Sequence, residues 1–163
     1  MNTKLSLGAA AALTAAGILG FATFGMAESE NTRATDTAVT VAADRQMTIW
    51  RDPSCGCCDA YAEYMEGEGY HVTRIDDRNF DKRSVDVGVP EQGLGCHLAE
   101  VDGYYISGLV PAEIIQRLTT ERPEIIGITL PGMPNNAPGM AGKSGTLKTY
   151  AFGGDEISVY SNE

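Results

Sequence analysis

Basic residues are scarce in this 163-residue chain: 12 Lys and Arg stand against 22 Asp and Glu, a formal net charge of −10. That shortage argues against nucleic acid as a partner, because binding phosphate needs a basic surface. Internal repeats are absent, so the chain reads as one unit and not as an array. Histidine and cysteine are few, two and four respectively. The usual zinc fingers are built from two well-separated ligand pairs, whereas three of the four cysteines here share one turn.

What is present begins with an export signal. Residues 1–27 carry one charge, Lys4, then an almost wholly apolar stretch from Leu5 to Met26, and close on Gly25-Met26-Ala27 before Glu28. A positive n-region, an apolar h-region and a small-x-small cleavage site make a secretory signal peptide. The apolar stretch approaches the ~20 residues that span a bilayer, so an uncleaved anchor is the alternative. The Ala and Gly content, Ser6, Thr14 and Thr23 inside the stretch, and the lack of a following basic cluster favour cleavage, with no stable membrane insertion afterwards. Either way the rest of the chain is expected to be exported, and its net charge past residue 27 is −11. Such acidity keeps an exported protein soluble and gathers cations only weakly. In an oxidising compartment its four cysteines are expected to be disulfide-bonded, metal-bound or redox-active.

Residues 28–44 are Ser, Thr, Ala and charge without an apolar period, the pattern of a flexible linker. The folded domain is expected over 45–163. Met47-Thr48-Ile49-Trp50 reads as a strand closed by Arg51-Asp52-Pro53-Ser54. Cys58, Tyr61, Ala62 and Met65 then recur at i, i+3, i+4 and i+7 of a helix that Gly67 and Gly69 stop. Tyr70 to Ile75 alternates as a second strand, and a shorter helix fits Asn79 to Val87. Leu98 to Val101 and Tyr104 to Ser107 flank Asp102-Gly103, the pair favoured in a type I′ hairpin turn. Pro111 at the first helical position opens a helix whose apolar face is marked by Val110, Ile114, Ile115 and Leu118, and which ends before Arg122-Pro123. After a Pro/Gly-rich segment, 131–145, a closing hairpin is expected from Leu147 to Phe152 and Glu156 to Tyr160 around Gly153-Gly154-Asp155. The fold class is therefore α/β. The order strand, helix, strand, helix, strand, strand, helix is that of a thioredoxin-like domain, with a central mixed sheet flanked by helices and a C-terminal loop and hairpin.

Three of the four cysteines share one tetrapeptide, Cys55-Gly56-Cys57-Cys58, and Cys96 stands beside His97. At a helix N-terminus, Cys55 and Cys58 lie near unpaired N–H groups and the positive end of the dipole, which favours thiolates for metal binding or exchange. A plain dithiol exchanger needs two sulfurs, and a third between them invites wrong pairings; a metal cluster can use every one. In a thioredoxin-like fold the segment before the third strand faces that helix end, so Cys96 should approach the tetrapeptide. Four converging thiolates suit a soft ion such as Cu(I), ahead of zinc. His97 reads as a ligand, as a group that orients or screens the site, or as a loop histidine bonded to nearby backbone. His71, on the second strand, reads as structural. Met133 and Met140 sit in a restricted Pro/Gly loop, a poor place for core residues, and could bring thioethers over a copper site. Met47 and Met65 are expected to be core.

Together Cys55-Gly56-Cys57-Cys58, Gly88-Val89-Pro90, Cys96-His97, Gly103-Tyr104, Gly108-Leu109-Val110-Pro111 and Pro131-Gly132-Met133-Pro134 through Pro138-Gly139-Met140 resemble the small periplasmic copper-tolerance proteins of the CopG family. The resemblance runs from about Met47 to Met140. It implies a thioredoxin-like fold in a periplasmic protein whose Cys-x-Cys-Cys turn and distant cysteine hold a polynuclear copper-sulfur cluster, with a role in handling copper between Cu(I) and Cu(II). By position the ligands are Cys55, Cys57, Cys58 and Cys96. The chain departs from the family pattern at Gly95 and Ala137, where serine is more usual, and at Ala141, where an acidic residue is.

The expected function is accordingly copper binding for tolerance or trafficking, with several Cu(I) ions per chain and other periplasmic copper-handling proteins as partners. The alternative is an enzyme, a thiol-disulfide oxidoreductase using Cys55 and Cys58. A structural zinc or two-disulfide domain is a third class.

Overall fold

In a computed structural model, which describes residues 45–154 and 156–163, seven strands form one mixed sheet. The segments read as signal peptide, 1–27, and linker, 28–44, lie outside the described residues, as does Asp155 of the closing turn. The elements are β1 (Gln46–Arg51), α1 (Gly56–Gly67), β2 (His71–Asp76), α2 (Phe80–Asp86), β3 (His97–Val101), β4 (Tyr104–Ser107), α3 (Ala112–Glu121), β5 (Gly127–Thr129), β6 (Lys148–Phe152) and β7 (Ser158–Asn162). A single 3-10 turn, Glu91–Gly93, precedes β3. Among the described residues no helix is long and apolar enough to cross a membrane.

The sheet order is β2-β1-β3-β4-β5-β6-β7. The β1–β2 and β4–β5 pairs are parallel, bridged by α1 and α3, as parallel neighbours require a crossover. The other pairs are antiparallel. Period-two alternation loads both faces. Met47, Ile49, Ala99, Val101, Tyr104 and Ile106 turn toward the main core with Cys58, Tyr61, Ala62 and Met65 of α1 and Ile114, Ile115 and Leu118 of α3. Trp50, Leu98 and Tyr105 turn the other way, against Val87, Val89 and Phe152.

Several boundaries differ from the sequence expectation, each for a local reason. The strand expected from Leu98 begins at His97, which pairs with Arg51, so the histidine belongs to the sheet and not to a loop. Pro111 is the N-cap of α3 and not its first residue: its φ of −59° is helical but its ψ is 145°, and its carbonyl accepts the N–H of Ile114 and Ile115. A proline there still forfeits no hydrogen bond. Arg122 ends α3 in the left-handed region, at φ 51°. β5 was not foreseen, being three residues long with glycine first. A Cβ on Gly127 would fall 1.9 Å from the Tyr105 carbonyl oxygen, which is why glycine stands there. The Asp102-Gly103 turn does take positive φ at both residues, 50° and 85°, as a type I′ hairpin demands.

Candidate metal centre

Arg51 at the end of β1 fixes where the chain turns into α1. Its guanidinium pairs with Asp59 of the first helical turn at 3.0 Å and with Asp76 of β2 at 3.4 Å. The intervening loop is closed by the Cys55 N–H on the Asp52 carbonyl and by the Ser54 N–H on the Asp52 carboxylate. Cys55 is then the N-cap, with no side-chain cap of its own, and Cys57 and Cys58 fall in the first turn. All three sulfurs therefore sit at the N-terminal end of the helix, the positive end of its dipole.

Cys96 arrives from the opposite side. Gly95 lies so close to Gly108 that a Cβ on it would be 2.2 Å from the Gly108 Cα, and its N–H donates to the Ser107 hydroxyl at 3.0 Å. A serine at position 95 has no room, and the chain's glycine is what lets this strand-entry segment close onto β4. The result brings four sulfurs together: those of Cys55, Cys57, Cys58 and Cys96 lie within 4.8 Å of one another. Cys55 and Cys58 are joined by a disulfide. Cys57 and Cys96 are free thiols, and the Cys57 sulfur is 3.4 Å from that of Cys55.

The third segment is the Pro/Gly loop. Gly132 forms a bridge with Gly95 and donates its N–H to the Leu94 carbonyl at 2.9 Å. Further on, Gly139 packs on α1 so tightly that a Cβ would meet the Cys57 carbonyl oxygen at 2.7 Å and the Tyr61 nitrogen at 2.9 Å. Between these anchors Ala137 is fully buried. Met133 reaches the site, its thioether 3.9 Å from the Cys57 sulfur, while remaining 57 % exposed. Met140 makes no such contact among the described residues and is exposed. Met47 and Met65 are core.

Burial sets the electrostatics. Cys96 is 9 % exposed, and burial, reinforced by the neighbouring Cys57, pushes its thiol up to about 12. His97 is wholly buried, and burial lowers its imidazole to about 3, so the ring is neutral. Its Nδ1 is 3.4 Å from the Cys96 sulfur, its ring lies on Tyr61 with centroids 4.8 Å apart, and its Nε2 has no hydrogen-bond partner among the described residues. His71 is exposed on β2, the sheet edge, away from the sulfurs.

The structure brings the four cysteine sulfurs and Met133 together, and the residues that position them carry no motif of their own in the sequence. Tyr61 is legible in the sequence only as part of an apolar helix face, and Tyr64 lies outside that face. Their hydroxyls act: Tyr61 donates to the Val110 carbonyl at 2.7 Å and Tyr64 accepts the Ala112 N–H at 3.0 Å, tying α1 to the start of α3. The glycines at 95, 108 and 139 were visible as residues, but which backbone each one approaches was not.

Chemically, a partly buried group of soft donors suits a soft metal ion once all four are thiolates, since thiolate and thioether ligands select Cu(I) and zinc over hard cations. The disulfide means that only two thiols are offered until Cys55 and Cys58 are reduced.

Comparison with known proteins gives a consistent picture. Residues 94–140 match a family described only as a protein of unknown function, DUF411. Two solved structures are similar to the chain, both named copper resistance protein copG. Form 2 has a TM-score of 0.67 at 29 % identity, covering 73 % of this chain and 98 % of that one. Form 1 has a TM-score of 0.65 at 29 % identity, covering 72 % and 96 %. No curated protein matches the chain.

Proposed function

We propose that this chain, whose matches place it with a CopG-like copper-tolerance family, is an exported, periplasmic copper-binding protein of the tolerance or trafficking kind. The observation that carries the reading is the gathering of four cysteine sulfurs within 4.8 Å from segments that lie about forty residues apart. In the reduced protein Cys55, Cys57, Cys58 and Cys96 bind Cu(I) as thiolates. Four thiolates exceed what one low-coordinate Cu(I) needs, so several ions share bridging sulfurs in a polynuclear cluster. Met133, against Cys57, adds a thioether at the solvent-facing side, with Met140 at most a neighbour. The frame is thioredoxin-like, residues 1–27 are removed on export, 28–44 are a linker, and binding shields a toxic ion and poises it for Cu(I)/Cu(II) cycling and handover to other periplasmic proteins.

The helix N-terminus assists because the positive end of its dipole lies at the sulfurs. Burial works against deprotonation of Cys96, so its proton leaves only as the metal displaces it; that proton passes to solvent, and uptake should release protons. Titrating the reduced protein anaerobically with Cu(I) against a competing chelator tests the reading. More than one tightly held copper per chain, with luminescence that vanishes in Cys96→Ser, is the expected result. Failure to outcompete even a weak chelator would sink it.

One observation favours the second reading, a thiol-disulfide oxidoreductase: the disulfide between Cys55 and Cys58 at the start of α1. That reading expects turnover with a disulfide or dithiol substrate, lost in Cys55→Ser and Cys58→Ser and retained in Cys57→Ser. Copper uptake altered by Cys57→Ser, without turnover in the unsubstituted protein, separates the two.

A further inference from the structure

We infer that His97 is a positioning residue for the sulfur site: its Nδ1–H donates a hydrogen bond to the Cys96 sulfur, and the ring is not itself a metal ligand. The inference rests on the copper reading above and deepens it.

The ring has no freedom to do otherwise. His97 lies in β3 opposite Arg51, its carbonyl accepts the Gly108 N–H at 3.1 Å, and its side chain is fully buried. One ring face rests on Tyr61, tilted by 36°, and Tyr61 is pinned by its hydroxyl bond to the Val110 carbonyl. So the 3.4 Å approach of Nδ1 to the Cys96 sulfur is imposed by the strand and by the aromatic floor beneath it.

The proton's place follows from counting partners. A neutral imidazole has one N–H. On Nε2 that donor would be buried without an acceptor among the described residues, carrying the full cost of desolvation, and the Nδ1 lone pair would confront the lone pairs of a thiolate. On Nδ1 the donor has the sulfur. A metal-bound Cys96 is an acceptor only, so it selects the Nδ1–H form. The same count argues against ligation through Nδ1. That would send the proton to Nε2, whereas ligating histidines almost always donate their other N–H to a carboxylate, carbonyl or water.

The consequence is electronic as well as steric. A hydrogen bond to a metal-bound thiolate withdraws electron density from the sulfur and favours the lower oxidation state of the metal, as such bonds tune thiolate-ligated metal centres generally. His97 thus biases the bound copper toward Cu(I) without touching it.

The full chain, ¹⁵N-labelled and loaded anaerobically with Cu(I), provides the test, because Cu(I) is diamagnetic. With only two histidines in the sequence, His71→Gln assigns the ring signals. The expected pattern is a protonated Nδ1 and an unprotonated Nε2 for His97; a protonated Nε2 or a metal-shifted ring nitrogen overturns the proposal. Two variants add an independent readout. His97→Leu keeps apolar bulk and lacks the donor, whereas His97→Asn places an amide N–H near the position of Nδ1. Both should bind as much copper as the unsubstituted chain. His97→Leu should lower the preference for Cu(I) over Cu(II) about tenfold, as befits the loss of a hydrogen bond to a charged group, and His97→Asn should restore it. Loss of copper in both variants, or an unchanged preference in His97→Leu, overturns the proposal. Should His97→Leu fail to fold, the ring signals of the unsubstituted protein decide alone. A chain that takes up no Cu(I) sinks the copper reading and this inference with it, a result distinct from a loaded protein with the other tautomer.

Discussion

The Cys57 sulfur sits 3.9 Å from the Met133 thioether although 76 positions separate the two residues. A thioether that is more than half exposed, placed on the least buried side of a thiol cluster, is arranged to act at the edge of the site and not at its centre. Met133→Leu is therefore expected to weaken Cu(I) binding several-fold with the number of bound ions unchanged, since a soft ligand is replaced by an isosteric apolar one. Met140→Leu should leave affinity as it is. Chelator competition on both variants checks this; equal losses from the two would remove the special role of Met133.

Gly139 carries the loop that delivers Met133. Its φ of +82° and the 2.7 Å approach of a Cβ to the Cys57 carbonyl both oppose any side chain. Gly139→Ala is expected to cost about 1–3 kcal/mol of stability, read as a lower denaturation midpoint, and to weaken copper binding with it by displacing the loop from α1. An unchanged midpoint would show that the loop does not pack there.

Thiol counting separates the oxidised and reduced forms. With Cys55 and Cys58 in a disulfide, unfolded protein kept from reductant should show two thiols per chain, those of Cys57 and Cys96, and four after reduction. Copper uptake should rise with that reduction, because a disulfide sulfur is a poor ligand beside a thiolate. Equal uptake before and after reduction would restrict binding to Cys57 and Cys96.

Acid should destabilise the metal-free protein through His97. Its folded-state value is lowered from 6.5 to about 3 by burial, so between those limits the unfolded chain binds a proton that the folded chain refuses. The stabilising contribution is complete above about pH 6.5 and is lost as pH falls toward 3, with a slope of up to about 1.4 kcal/mol per pH unit. Denaturant melts at pH 7.5, 5.5 and 4.5 should show the decline, and in His97→Leu this part of it should disappear. Cys96 acts at the other end: its thiol is raised from 9.0 to about 12, so its contribution is complete below pH 9 and is lost as pH rises toward 12. A Cys96→Ala protein should lose that alkaline sensitivity.

Much of this was legible in the sequence because it is local. Cys58, Tyr61, Ala62 and Met65 recur with helical period, and all four are buried on α1. Asp102-Gly103 announces a turn through its tolerance of positive φ, and the turn is there. β5 was not legible, since Gly127-Ile128-Thr129 is too short to show a period and becomes a strand only by pairing with Tyr105 to Ser107. His97 was ambiguous for a related reason. Whether it was a loop residue or a strand residue depended on its pairing with Arg51, not on its immediate neighbours.

The sequence by itself determined the inventory: an acidic chain, three sulfurs at the start of one helix, a fourth beside a histidine, and two methionines in a stiff loop. Period and turn chemistry act over a few residues and survive in any one-dimensional reading. Only the tertiary structure decided which of these groups meet. Gly95 closing on Gly108 brings Cys96 to the helix, Gly139 lying on Cys57 and Tyr61 seats the loop, Met133 reaches the sulfurs while Met140 does not, and Tyr61 holds the His97 ring against Cys96. Those are contacts of backbone with backbone and ring with ring across tens of residues. They are fixed by excluded volume and by sheet register, and neither can be read along the chain.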